Sequence, residues 1–134
     1  MNVVQLLAAT SMIAAALSII MTAAWLVQQR SGNSGWVDVI WTIGTGAVGA
    51  LAALAPITGS LFARQLLVAG LAMLWAFRLG SHIAVRTRGS GDDPRYRHMA
   101  ETWGSDAPRQ MFWLLQKQAI ASVPLALAIM LAGH

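Results

Sequence analysis

The chain has no cysteine in its 134 residues. Disulfides, thiolate catalysis and cysteine-based metal or iron–sulfur sites are therefore excluded. Charge is scarce as well. Only 10% of the residues are charged and 57% are hydrophobic, whereas a soluble domain carries about 25% charged residues. With a mean hydropathy of +0.59, this is the composition of a membrane protein. No side chain from Met1 to Gln29 is charged, so the N-terminus lacks the basic segment of a signal peptide and is too long for its apolar core. It reads as a retained transmembrane helix. His82, His98 and His134 share no metal-ligand spacing, and no Ser-His-Asp set is evident.

What charge exists is concentrated. The formal net charge is +4, and five of the nine Lys and Arg residues fall between residues 86 and 109. Asp92, Asp93, Glu101 and Asp106 are interleaved with them, which would spoil a phosphate-tracking stripe and argues against a nucleic-acid partner. The pattern is a topology signal instead. Spans of about 3–27, 36–54, 61–85 and 110–132 each approach the ~20 residues that cross ~30 Å of hydrocarbon. The expected fold is all-α, a polytopic bundle of four transmembrane helices forming a single domain over residues 1–134, with the lipid bilayer as its surroundings. Arg30 and the five arginines of the 86–109 loop lie on one side, against Arg64 on the other. The positive-inside rule then puts that loop in the cytoplasm and both termini outside.

The third span is unusual. Only Gln65–Phe77 separates Arg64 from Arg78, too short a stretch to cross alone. The helix must carry Arg78, and with it His82, into or near the bilayer, where ionisable groups are costly and mark functional sites by default. Arg78, His82 and Arg86 recur at i, i+4, i+8 and share one helix face.

The loop that follows has its own start signal. Asp92 or Asp93 can cap a helix with Pro94 at its first position. Tyr96, Met99, Ala100 and Trp103 then form one apolar face, and Gly104 stops the run. The segment reads as a short interfacial helix. Asp106 and Pro108 repeat the signal before the fourth span.

Gly44-Thr-Gly46-Ala-Val-Gly49 matches the dinucleotide fingerprint literally. It lacks the preceding strand and the acidic residue about 20 positions on, and no acid occurs from residue 39 to 91. Close helix packing through small residues accounts for it. Asp38, Trp41, Thr42 and Thr45 form a polar-aromatic stripe near the start of the second span. Asp38 either caps that helix at the interface, with Trp41 in the aromatic belt, or faces a cavity and pairs with Arg78 or His82. A buried Asp38–Arg78 pair would make the loss of one partner cost about 3–5 kcal/mol. Arg86 and Arg88 suit topology anchors, whereas Arg78, two turns deeper, suits a clamp on phosphate or carboxylate.

Four blocks carry a family resemblance. Trp36-Val-Asp38-Val-Ile-Trp41-Thr-Ile-Gly44 comes first, then Leu74-Trp75-Ala-Phe-Arg78-Leu-Gly-Ser-His82. Arg86 and Arg88-Gly-Ser-Gly-Asp92-Asp93-Pro94-Arg95-Tyr96 follow, and Trp103-Gly104 comes last. Together, over roughly residues 30–125, they resemble the bacterial steroid 5-alpha-reductase-like integral membrane proteins. The resemblance implies residence in a bacterial inner (cytoplasmic) membrane. It also implies an oxidoreductase that delivers hydride from NADPH to an activated double bond of a lipid, with the cofactor entering from the cytoplasm. Candidate cavity-lining residues carried over on these blocks are Asp38, Trp41, Arg78, His82, Arg86, Arg88, Asp93, Arg95 and Tyr96. No catalytic residue is assigned. Such proteins also have a second half with more spans and a motif resembling Arg-His-Pro-Asn-Tyr that helps hold the nicotinamide cofactor. No such segment occurs in this sequence. The expectation is therefore an N-terminal half, inactive alone, that needs a complementary C-terminal-half polypeptide before NADPH is used. The alternatives are a small non-enzymatic packing or binding protein, homodimeric through Gly44–Gly49, and a truncated remnant.

Overall fold

A computed structural model describes residues 1–57, 59, 62–89 and 94–134, without the side chains of 94–96. Among the described residues there are five α-helices and no strand. They are α1 (Val3–Ser31), α2 (Gly35–Leu54), α3 (Phe62–Gly89), α4 (Pro94–Trp103) and α5 (Ala107–Gly133), with one 3-10 turn, Gly104–Asp106, before α5. The four long helices are each long and apolar enough to cross a membrane. This is the all-α, four-span architecture that the composition implies, with α4 as the short extra helix.

The helix ends follow local chemistry. Asn2 and Gln5 form a reciprocal capping box at the start of α1, and Gly32 closes that helix in the left-handed conformation, φ 67°, which glycine adopts without steric cost. Helix α2 begins at Gly35, so Asp38 lies in its first turn rather than at its N-cap. Its carboxylate is well placed for the positive end of the helix dipole. Helix α4 starts at Pro94. The aspartates expected to cap it, Asp92 and Asp93, lie outside the described residues. Gly104, at φ 59°, ends that helix. Asp106 stands at the N-cap of α5 without capping it; its carboxylate instead accepts from the Gln110 side chain at 2.9 Å.

Helix α2 is the central post. It packs against α1, α3 and α5; α1 also packs on α5, whereas α1 and α3 do not touch among the described residues. The three glycines of the fingerprint-like run explain the arrangement. A Cβ on Gly44 would strike Ile20 of α1, one on Gly46 would strike Ala76 of α3, and one on Gly49 would strike Ile129 of α5. Each glycine thus admits a different neighbour to close approach, and all three faces are met by helices of the same chain. The main core gathers Leu17 and Met21 of α1, Val37 of α2, and Leu115 and Met130 of α5, with Met99 and Trp103 of α4 packed against it.

Polar clasps tie the helices where hydrocarbon offers no competing partner. The Ser18 hydroxyl donates to the Gln116 Oε1 at 2.5 Å, and Gln116 Nε2 donates to Thr22 Oγ1 at 3.0 Å, joining α1 to α5. At the far end, buried Gln65 donates to the carbonyls of Ala53 (3.0 Å) and Ala55 (3.2 Å), which the end of α2 leaves without intrahelical partners. Beside it, Arg64 Nε donates to the Ala132 carbonyl of α5 at 2.9 Å, a cation at the negative end of a helix dipole.

Candidate functional site

Helix α3 attaches to the bundle chiefly through α2 and touches α5 less extensively, so much of its surface is open. Its 28 residues span about 42 Å, more than the ~30 Å of hydrocarbon. The excess length leaves room for the ends of the helix, which carry Arg64, Arg86 and Arg88, to stand outside the hydrocarbon. With Arg64 at the opposite boundary, the intervening 1.5 Å steps put Arg78 about 21 Å along the helix, short of the loop-side surface.

Arg78 and His82 are both exposed and line a wide-open cavity of about 760 Å³ whose other described walls, Leu71, Leu74, Trp75 and Leu79, all belong to α3. Neither Arg78 nor His82 makes a hydrogen bond or ion pair among the described residues. A guanidinium without a counter-charge at membrane depth is costly unless it reaches the headgroups or a ligand anion. It presents five donors in a planar fork suited to phosphate or carboxylate, and His82 adds at least one N–H or acceptor nitrogen in any protonation state.

The aromatic stripe of α2 reaches this face through one contact. Trp41 meets Trp75 edge to face, with centroids 6.4 Å apart and an interplanar angle of 81°. The Trp41 indole N–H donates to Ser122 Oγ of α5 at 2.6 Å, and the Ser122 hydroxyl in turn donates to the Gln118 carbonyl at 2.8 Å. Trp41 is thereby fixed between three helices. Thr42 donates to the Asp38 carbonyl at 2.8 Å, and Thr45 is fully buried with its hydroxyl unpartnered among the described residues.

Asp38 is half-buried and is not a free carboxylate. No contact between Asp38 and Arg78 or His82 is found among the described residues, so the direct pair considered from sequence is not formed there. The turn before α2 and the end of α3 do meet. Asn33 Nδ2 donates to the Thr87 carbonyl at 3.2 Å, and a Cβ on Gly35 would lie 2.6 Å from the Thr87 hydroxyl. Arg86 and Arg88 are exposed on the last turns of α3 and are not brought to the Arg78 cavity. Asp93 lies outside the described residues. Arg95 and Tyr96 belong to α4, and their side chains are not described.

Two participants escaped the sequence reading. Trp75 falls on the Arg78–His82 face, and the i, i+3 and i+7 spacing of Trp75, Arg78 and His82 could have revealed it. Ser122 gave no signal, because one serine in an apolar span is unremarkable until a donor faces it.

The fold defines a polytopic α-helical membrane protein, with Arg78 and His82 on an open face of its third span. A family model described as "Protein of unknown function (DUF1295)" matches residues 24–134, and the chain belongs to that family, a steroid 5-alpha-reductase-like membrane family. No curated protein and no solved structure matches the chain.

Proposed function

We propose that this chain is part of an NADPH-dependent membrane reductase acting on a lipid double bond, with the rest of the cofactor site supplied from outside these 134 residues. The observation that carries the reading is Arg78: a cation at membrane depth, without a protein partner among the described residues, opening with His82 onto a cavity. When bound, the nicotinamide cofactor supplies hydride to one carbon of a polarised double bond, and a proton completes the other. The residues of this chain fit the anionic parts of such a system. Arg78 would hold phosphate oxygens of the cofactor, His82 would stand beside it as a second polar group, and Trp75, braced by Trp41, would offer a flat apolar wall.

The proposed orientation puts the 86–109 loop in the cytoplasm, on the side where the cofactor is found. A chain without cysteine makes this simple to check. A single cysteine at Ser105 should react with an impermeant maleimide only in inside-out vesicles, and labelling in right-side-out vesicles would reverse the assignment.

Activity is tested in membranes of the native host, with and without deletion of this chain. NADPH deuterated at the transferable C4 position is supplied, and deuterium is read in the extracted lipids. Lipid labelling should disappear on deletion, return with the wild-type chain and fail to return with Arg78→Gln. Labelling unchanged by the deletion would refute the proposal.

A further inference from the structure

A second cavity adjoins the first. It holds about 480 Å³ between α3 and α5, and its walls include Val68, Ala72, Leu125, Ala128 and Ala132. Leu71 and Trp75 line both cavities, so the two adjoin at these side chains as a shallow groove along α3. The groove has a direction. Its α3 wall runs from Val68 to His82, about 21 Å at 1.5 Å per residue, and its α5 wall repeats at i, i+3, i+4 and i+7 over Leu125, Ala128, Ile129 and Ala132. It therefore follows the helix axes and lies along the membrane normal. Chemistry is graded along it: every named residue of the α3–α5 end is apolar, and Arg78 and His82 stand at the other end.

We propose that this groove binds a single-chain anionic amphiphile, with its carboxylate or phosphate head on Arg78 and His82 and its chain laid past Trp75 between α3 and α5. The charge at one end selects an anionic head. Length, and walls built from small and branched side chains, select an extended chain over a compact ring system. Lateral access needs no gate, because the groove opens on the outer face of α3, where Leu71, Leu74 and Trp75 are exposed. The inference rests on reading Arg78 and His82 as an anion site, and it holds whether or not the chain takes part in a reduction.

The test uses the full chain in uncharged detergent micelles and dibromostearate, whose bromines quench a tryptophan they touch. The Trp75→Phe variant identifies the part of the signal that belongs to Trp75. Quenching of that part should saturate, and the methyl ester of the same acid should bind at least about tenfold more weakly. Arg78→Gln should weaken the carboxylate about tenfold without affecting the ester. Ala128→Phe, which fills the apolar end at an exposed position, should weaken both. Inorganic phosphate should displace the acid only weakly, since it lacks the chain. Equal binding of acid and ester to the wild-type chain would overturn the proposal and leave ordinary lipid contact. So would indifference to both Arg78→Gln and Ala128→Phe. Both readings use Arg78, so NADPH and the acid should compete for it; a titration with NADPH in the absence of the acid reports on the reductase reading alone, and saturable binding of the acid without binding of NADPH would separate the two.

Discussion

Trp41 of α2 and Trp75 of α3 stand edge to face, 6.4 Å between centroids, and the same Trp41 ring is anchored to α5 by its bond to Ser122. One side chain thus sets the position of the helix that carries Arg78 relative to the two helices behind it. The indole N–H has its partner inside an apolar bundle, where an unmet donor is costly. Ser122→Ala should destabilise the fold by about 1–2 kcal/mol in detergent unfolding, within the range of interhelical hydrogen bonds. Trp41→Phe combined with Ser122→Ala should cost less than the sum of the two single changes, because the second change then removes nothing. Strict additivity in that cycle would show that the bond contributes nothing.

Gly46 determines how closely α3 approaches α2. Its missing Cβ would overlap the Cβ of Ala76 and come within 3.2 Å of the Ala72 carbonyl. Gly46→Ala should destabilise by about 1–3 kcal/mol, as overpacking of a filled interface does. Adding Ala76→Gly should return part of that loss and not all of it, since the Ala72 carbonyl remains. Thermal unfolding of the two variants measures both.

The two glutamine clasps differ in what they leave behind. Gln65→Leu orphans the buried carbonyl of Ala53, while Ala55 keeps the Ile57 N–H as its donor at 2.9 Å, and an unmet buried acceptor costs about 1–3 kcal/mol. Gln116→Leu removes a partner from Ser18 and Thr22, but Thr22 already donates to the Ser18 carbonyl at 2.8 Å, and Ser18 can turn to its own helix in the same manner. Gln65→Leu should therefore be the more damaging change. Chemical unfolding of both variants would contradict this if their order were reversed.

Asp38 and Arg78 offer a direct check on the site. Without a contact between them among the described residues, Asp38→Asn and Arg78→Gln should combine additively to within about 0.5 kcal/mol. A coupling of several kcal/mol would restore the buried pair that the sequence suggests.

The fold class was legible because composition alone demands membrane helices, and four apolar stretches of spanning length followed from it. The arrangement of the helices was not, because spans that are apolar all round give no moment to mark which face is inside. One signal was present. At 3.6 residues per turn, Gly46 and Gly49 lie about 200° and 140° around α2 from Gly44. Two close approaches on one side and one on the other match α3 and α5 against α1. The Arg78–His82 face was readable from spacing, whereas Asp38 was not placeable. Helix rotation decides whether two polar stripes meet, and a periodicity does not fix the rotation of one helix against the next. The Met99 and Trp103 contacts of α4 with the core follow the apolar spacing of its sequence.

The central claim is that Arg78 makes the open face of α3 an anion site used by a nicotinamide cofactor. The most direct measurement is calorimetric titration of NADPH into the purified, micelle-solubilised chain, with Arg78→Gln as its control. Saturable micromolar binding that weakens at least about tenfold in Arg78→Gln is the predicted result. Absence of binding up to millimolar NADPH, or binding indifferent to Arg78, would contradict the account.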